Sequence, residues 1–402
     1  MYYDDVEEIA LVSNMTIAES SVDSDSNSVK HAEVVILAPF LLLAVGALLR
    51  QTTKALPVPY TMQLLIVGTL LGILLRGDQW TGTLQQSMEV LGNLDPHLMI
   101  HVFLPPLIFE SAASLEWHLL TKAKWHIISL AGPGLLLASS LTGGVLYSLL
   151  SNSERFQDDL LLAECSDEWS YHTALLLGVI MSATDPVAVV ALLNDLGCKA
   201  SLSTTIEGES LLNDGTALVM FTILIKLVEG DSSDGVEDYV LTFGKMSIGG
   251  ALFGTVFAII MVQWLRMIFN DALAEISVTL AGAYLCFFVA EYFLHVSGVI
   301  AVVCLGLYFG HSGRTSVSPE VAHFLEEFWQ CLGFIGNTLI FVVAGTVIGF
   351  KLPSFPVSEF THMFAMYAVC ALIRGVVIGL IYLAFKACGS DLEFKDQIVA
   401  TW

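Results

Sequence analysis

Along most of this chain apolar residues are gathered into blocks of roughly 17 to 25 positions, separated by short polar connections, and show no regular alternation with polar ones. A helix over such a block has the rise needed to cross about 30 Å of hydrocarbon. Eleven blocks predict eleven helices, at about 34–50, 58–75, 97–115, 126–150, 172–193, 203–228, 243–265, 272–294, 298–311, 326–349 and 360–387. The ninth is short and admits two readings. It is either a re-entrant or discontinuous helix, whose irregular backbone needs protein or cavity water to satisfy it, or a plain buried helix.

Composition sharpens this picture. Of 402 residues, 55% are hydrophobic and 14% charged, too little polar surface for a soluble domain, so the fold class is an all-α polytopic membrane protein. The net charge of −23 sits mainly outside the apolar blocks. It does not suggest nucleic acid, and the acidic connections at 154–168 and 229–238 read as solvated faces. Residues 1–32, rich in Asp, Glu and Ser, read as a disordered acidic tail, and residues 33–402 as one transmembrane domain. Asn14-Met15-Thr16 would accept a glycan on the outer side. The seven cysteines imply no disulfide framework, and no paired CxxC or HExxH spacing points to zinc, so no cofactor is expected.

Basic residues set the orientation. With the Arg50/Lys54 connection in the cytoplasm, alternation puts Lys122, Lys124, Lys199, Arg266, Arg314, Lys386 and Lys395 on the same side. The N-terminus and both acidic connections then lie outside and the C-terminus in the cytoplasm. The chain stops at Ala400-Thr401-Trp402 just as apolar character returns, which reads as a domain incomplete at its C-terminus.

A carboxylate inside a bilayer costs several kcal/mol, by contested estimates, so each intramembrane acid is a functional candidate. The candidates are Glu110, Asp185, Glu207, Glu209, Asp214, Glu275 and Glu291. In the fifth block Ser182-Ala183-Thr184-Asp185-Pro186 predicts a broken helix, because proline removes a donor and forces its predecessor out of helical geometry. Broken helices free carbonyls that can coordinate a cation.

In the sixth block, Glu207 to Thr216 is too polar for a lipid-facing helix. Ser210 and Asp214 share one helical face, and Glu209 and Asn213 the neighbouring one. Asp214, Asp185, the Ser210 hydroxyl and the Thr184 carbonyl together offer hard oxygen ligands for a small alkali cation. A buried carboxylate also holds a proton more tightly, so one site can take either ion. Arg374, inside the eleventh block, needs a buried acidic partner; Glu209 is the choice that leaves the ion ligands free to exchange. His101, His295, His311 and His323 read as solvated or hydrogen-bonded side chains rather than pH sensors.

Two other readings use the same acids. A passive cation channel can line its pore with them, although the proline break disfavours a continuous pore. An intramembrane protease could use Asp185 and Asp214, but no Gly-x-Gly-Asp string is present.

These strings, taken with Val58-Pro59-Tyr60-Thr61, Phe103-Leu104-Pro105-Pro106, Phe109-Glu110-Ser111 and Asn337-Thr338-Leu339-Ile340-Phe341, resemble the monovalent cation:proton antiporter family over about residues 34–402. The plant plasma-membrane salt-tolerance and sperm-type sodium/proton exchangers are the nearest in pattern. The resemblance implies thirteen helices in two inverted repeats, a homodimer, and a core domain moving like an elevator in the plasma membrane. This chain would supply eleven of the thirteen, and without the helix that crosses the broken fifth one it is expected to fold without transporting. The resemblance also implies that Asp214 is the transported-ion carboxylate, holding Na+ or H+ with Asp185. By it, Asn213 marks electroneutral exchange, Glu110 bonds Asn213, and Glu209 with Arg374 forms a core salt bridge. Asn337 stands where animal exchangers often carry glutamate.

Overall fold

The computed structural model describes residues 39–52, 58–75, 96–152, 170–184, 189–190, 193, 197–228, 236–355 and 357–387. Among them, every apolar block carries a helix. The helices are α1 (Pro39–Thr52), α2 (Tyr60–Leu75), α3 (Pro96–Ser114), α4 (Trp117–Ser129), α5 (Leu135–Asn152), α6 (Tyr171–Ser182) and α7 (Ala200–Val228). They continue with α8 (Val236–Leu265), α9 (Ala272–Phe288), α10 (Gly298–Tyr308), α11 (Pro319–Lys351) and α12 (Val357–Ala387). The expected acidic tail, the glycan sequence, Asp185 and Pro186 fall outside the described residues.

Six of the described helical rods are long and apolar enough to cross a membrane, and five shorter ones are also apolar. Several start a turn or two before their apolar block. α4 begins at Trp117 because its first turns carry His118, Lys122 and Lys124, which suit an interface and do not break a helix. α4 and α5 form one rod joined by a π turn at Leu130–Gly134. Pro133 explains the turn, since it has no N–H for the carbonyl four residues back and the ladder widens to pass it. The ninth block is a continuous helix, α10, buried along most of Gly298–Gly306 and closed by a second π turn at Phe309–Gly313.

The chain divides into two compact units. One holds residues 1–98 and 337–354, the other 99–336 and 355–402. In the first, α2 and the second half of α11 meet backbone to backbone. A Cβ at Gly68 would collide with the Val342 carbonyl oxygen, and one at Gly345 with the Leu65 carbonyl oxygen. Gly72 and Gly349, one turn on, repeat the contact. Helices in lipid gain nothing from burying leucine against leucine, so close approach through small residues supplies the attraction. Tyr60 Oη and Thr338 Oγ1, 3.0 Å apart, add a hydrogen bond between the same two helices.

In the second unit the core is built from α3, α7, α8, α9, α10 and the first half of α11, around Phe109, Leu265, Phe287, Leu305 and Trp329. The Phe109 and Trp329 rings lie 4.4 Å apart. α12, by contrast, exposes Phe364, Tyr367, Leu372, Val376, Leu380 and Leu383. Hydrocarbon, not water, is the solvent such a surface suits.

The glycine contact gives a direct test. Gly345→Ala should lower the stability of the detergent-solubilised protein by about 1–3 kcal/mol, the usual cost of overpacking. Gly144→Ala, where nothing lies within 4 Å of the new methyl, should not lower it. Thermal unfolding of the two variants against the parent checks both.

Candidate functional site

α6 is capped by Ser170, whose Oγ accepts the His172 N–H, and ends at Ser182, with Ala183 in extended geometry (φ −72°, ψ 123°). The helix therefore stops before the Asp185-Pro186 pair, within the block. Its last turn still closes locally: Ser182 Oγ donates to the Gly178 carbonyl at 2.7 Å and Ala183 N–H to the Val179 carbonyl at 3.3 Å. Thr184 comes next, and its carbonyl has no helix to join.

That carbonyl accepts a hydrogen bond from Ser210 Oγ of α7 at 2.6 Å. The Thr184 hydroxyl accepts from Arg374 Nη1 of α12. Arg374 Nη2 in turn lies 3.4 Å from Glu209 Oε1, with the Glu209 side chain 9% and the Arg374 side chain 27% exposed. Thr184 is thus tied on one side to α7 through its backbone and on the other to α12 through its side chain. Glu209 and Ser210 are adjacent on α7, so α6, α7 and α12 meet at this one residue.

A cavity of about 460 Å³ opens here, with Thr184, Glu209, Ser210, Asn213 and Arg374 among its walls. Asn213 is buried and its Oδ1 has no hydrogen-bond partner. The Thr184 carbonyl and the Ser210 hydroxyl oxygen each keep a lone pair beyond the bond between them. The cavity wall therefore presents three neutral oxygens with acceptor capacity and one carboxylate held by a guanidinium.

The other candidate residues are distributed differently. Asp214, one turn after Ser210, is exposed and is not part of this cavity's wall. Glu110, on α3, lines a separate cavity of about 360 Å³ with Arg314, His323, Glu326, Trp329 and Gln330. Its carboxylate faces Gly333 of α11, where an added Cβ would sit 3.2 Å from Glu110 Oε2. The Glu110–Asn213 bond that the resemblance implies is not among the hydrogen bonds of the described residues.

Glu275 and Glu291, the two acids of the eighth block, each meet the start of another helix. Glu275 accepts the Ser318 N–H at 3.0 Å, at the head of α11. Glu291 packs against Gly298 at the head of α10, and its Oε2 lies 3.7 Å from His101 Nε2. Unpaired N–H groups at a helix start are natural partners for an acid.

Two features lay beyond the sequence reading. Thr184 was expected to contribute a carbonyl, yet its hydroxyl is the group that meets Arg374. The signal was present, because a guanidinium has five N–H donors and one carboxylate cannot satisfy them all. The second feature, the Trp329 and Gly333 wall beside Glu110, left no signal that periodicity could reveal.

The geometry agrees with what the chain is similar to. The family described as sodium/hydrogen exchanger, transmembrane, matches residues 40–402. "Sodium/hydrogen exchanger 7" of Arabidopsis thaliana is 34% identical over 393 residues, covering 96% of this chain and 33% of the plant protein. "Sodium/hydrogen exchanger 8" of the same plant is 33% identical over 392 residues, 96% of this chain and 50% of the relative. The chain thus spans a third to a half of the length of these two relatives. The sodium proton antiporter MjNhaP1 of Methanocaldococcus jannaschii superposes with a TM-score of 0.66 at 20% identity, over 91% of this chain and 83% of that one, which establishes a shared fold. This chain belongs to the sodium/hydrogen exchanger family of multi-pass membrane proteins.

Proposed function

We propose that the protein is a secondary antiporter exchanging Na+ for H+ across a membrane, through one site that holds either ion. The observation that carries this reading is the helix break at Thr184. There a freed carbonyl, the Ser210 hydroxyl, the unpartnered Asn213 Oδ1 and a buried acid–guanidinium pair meet at one cavity inside an apolar bundle. Family membership and the names of the relatives support the choice of ions.

In this reading Asp214 is the exchanging carboxylate, with Asp185, Ser210 and Thr184 as further ligands, Asn213 beside them, and Glu110 a supporting acid in its own neighbouring cavity. A charged carboxylate resists transfer into the low-dielectric interior, and either a proton or a sodium ion removes that penalty. Only the neutralised site then moves, in an elevator-like shift of the core. Asp214 is exposed in this structure. With asparagine at 213 in place of a second acid, each half-cycle carries one positive charge and the exchange is electroneutral. Glu209 and Arg374 are a brace: Arg374 meets Glu209 and Thr184 together. In the same reading the protein works as a homodimer in the plasma membrane, with its N-terminus outside and its C-terminus in the cytoplasm.

Proteoliposomes holding the full-length protein test the reading. Sodium-dependent proton flux should saturate with Na+ and be indifferent to an imposed membrane potential. Asp214→Asn should reduce it to background, and Ser210→Ala should raise the apparent KM for Na+ several-fold. Parent-level exchange by Asp214→Asn would refute the assignment, and an unsaturating, voltage-driven current would replace antiport with a channel. Parallel runs with Li+ and K+ define the cation range.

The brace has its own signature. Arg374→Gln leaves Glu209 buried without its cation and should cost about 3–5 kcal/mol of stability. Adding Glu209→Gln should recover part of that loss, because the two sites are coupled. Thermal unfolding of both single variants and the double variant in detergent measures the coupling.

A further inference from the structure

Glu275 is fully buried, at 0% exposure, in the first turn of α9. Its Oε2 accepts the Ser318 N–H at 3.0 Å and its Oε1 the Ser318 hydroxyl at 2.5 Å. The Ser318 hydroxyl oxygen also accepts the Asn270 N–H at 2.8 Å, from a residue in left-handed geometry (φ 54°) just before α9. Ser318 immediately precedes Pro319, the first residue of α11. Normally a serine in that place turns its hydroxyl oxygen onto its own helix's N–H groups. Here the hydroxyl is turned away to Glu275, so α11 is anchored to α9 by a charge-assisted pair of bonds.

Two neighbouring bonds secure the same segment. Arg266 Nε donates to Ser316 Oγ at 3.0 Å, and Arg314 Nη2 donates to the Ala113 carbonyl at the end of α3 at 2.8 Å. α11 therefore starts from a fixed point. Fifteen residues further, about 22 Å at the helical rise, the same helix presents Gly333 to the Glu110 carboxylate. Between them Trp329 packs its ring on Phe109, the residue before Glu110. A slide or rotation of α11 would move Trp329 and Gly333 against Glu110. The contact is close, since a methyl group at Gly333 would sit 3.2 Å from Glu110 Oε2 and push that carboxylate by a few tenths of an ångström.

We propose that Glu275 is a positioning residue for Glu110, and that this intramembrane acid acts by fixing α11 and not by holding a transported ion. The inference rests on the antiport reading, in which Glu110 is a supporting acid of the ion site. Removing the Glu275 carboxylate loosens the head of α11 and lowers sodium affinity through Glu110, while the exchanging carboxylate itself is untouched. A glutamine keeps the shape and one acceptor for the Ser318 N–H, so it preserves most of the anchor.

The experiment compares Glu275→Ala, Glu275→Gln, Ser318→Ala, Glu110→Gln and the double variant Glu275→Ala/Glu110→Gln in the full-length protein. Sodium binding is read from Na+-dependent thermal stabilisation in detergent, and exchange from proteoliposome flux per folded protein. Glu275→Ala should weaken sodium binding and raise the apparent KM at least fivefold, with the maximal rate within about twofold of the parent. Ser318→Ala should weaken binding in the same direction, and Glu275→Gln should stay within about twofold of the parent. In the Glu110→Gln background, Glu275→Ala should have no further effect. The proposal is overturned if the two effects multiply, if Glu275→Ala changes stability alone, or if Glu275→Gln abolishes exchange while Ser318→Ala spares it, as an ion ligand would. Sodium binding without exchange by the parent would remove the antiport reading and still leave the positioning readable from the binding series. A parent that binds no sodium overturns both.

Discussion

A polar group inside hydrocarbon has no water to turn to, and the organisation of this protein follows from how each such group is satisfied. The sharpest instance is Thr184. α6 stops at Ser182, and Thr184, two residues on, offers a carbonyl and a hydroxyl beyond the end of that helix. Ser210 and Arg374 take them up, and in doing so they hold α7 and α12 to the break. Arg374 and Glu209 each offset the cost of burying the other. The break, the ion pair and the cavity are one arrangement with three aspects.

The same constraint sorts the acids. Three of them are committed to partners: Glu209 to a guanidinium, Glu275 to the head of α11, Glu291 to the head of α10 and to His101. These uses lower the cost of a buried charge without any bound ion, and they tie together helices distant in sequence. Glu110 and Asp214 are placed differently, the first lining its own cavity and the second exposed.

Packing in lipid adds a second demand, because the hydrophobic effect does not draw one apolar helix to another there. α2 and α11 answer it with glycines that let backbones touch. Elsewhere the rods bend without breaking. The π turns at Leu130–Gly134, Val289–Phe293 and Phe309–Gly313 shift the faces that follow them, and the second carries Glu291 to the head of α10.

Much of this was determined by the sequence alone. Uninterrupted apolar blocks admit no structure in a bilayer but helices, so the all-α architecture and the place of each rod were legible from spacing. The stop after Ser182 was legible too, since proline sterics act within two or three residues. Arg374's need for an acid followed from the cost of a lone buried charge. Tertiary structure decided what is set by distance between segments. It turned the Thr184 hydroxyl to Arg374, sent Glu275 to Ser318 some 43 positions away, and set Glu110 against Gly333. It also left Asp214 exposed one turn beyond buried Ser210, although the two share a helical face in the sequence pattern. Helical periodicity places residues around one axis; which neighbour covers each side is settled only when the helices pack.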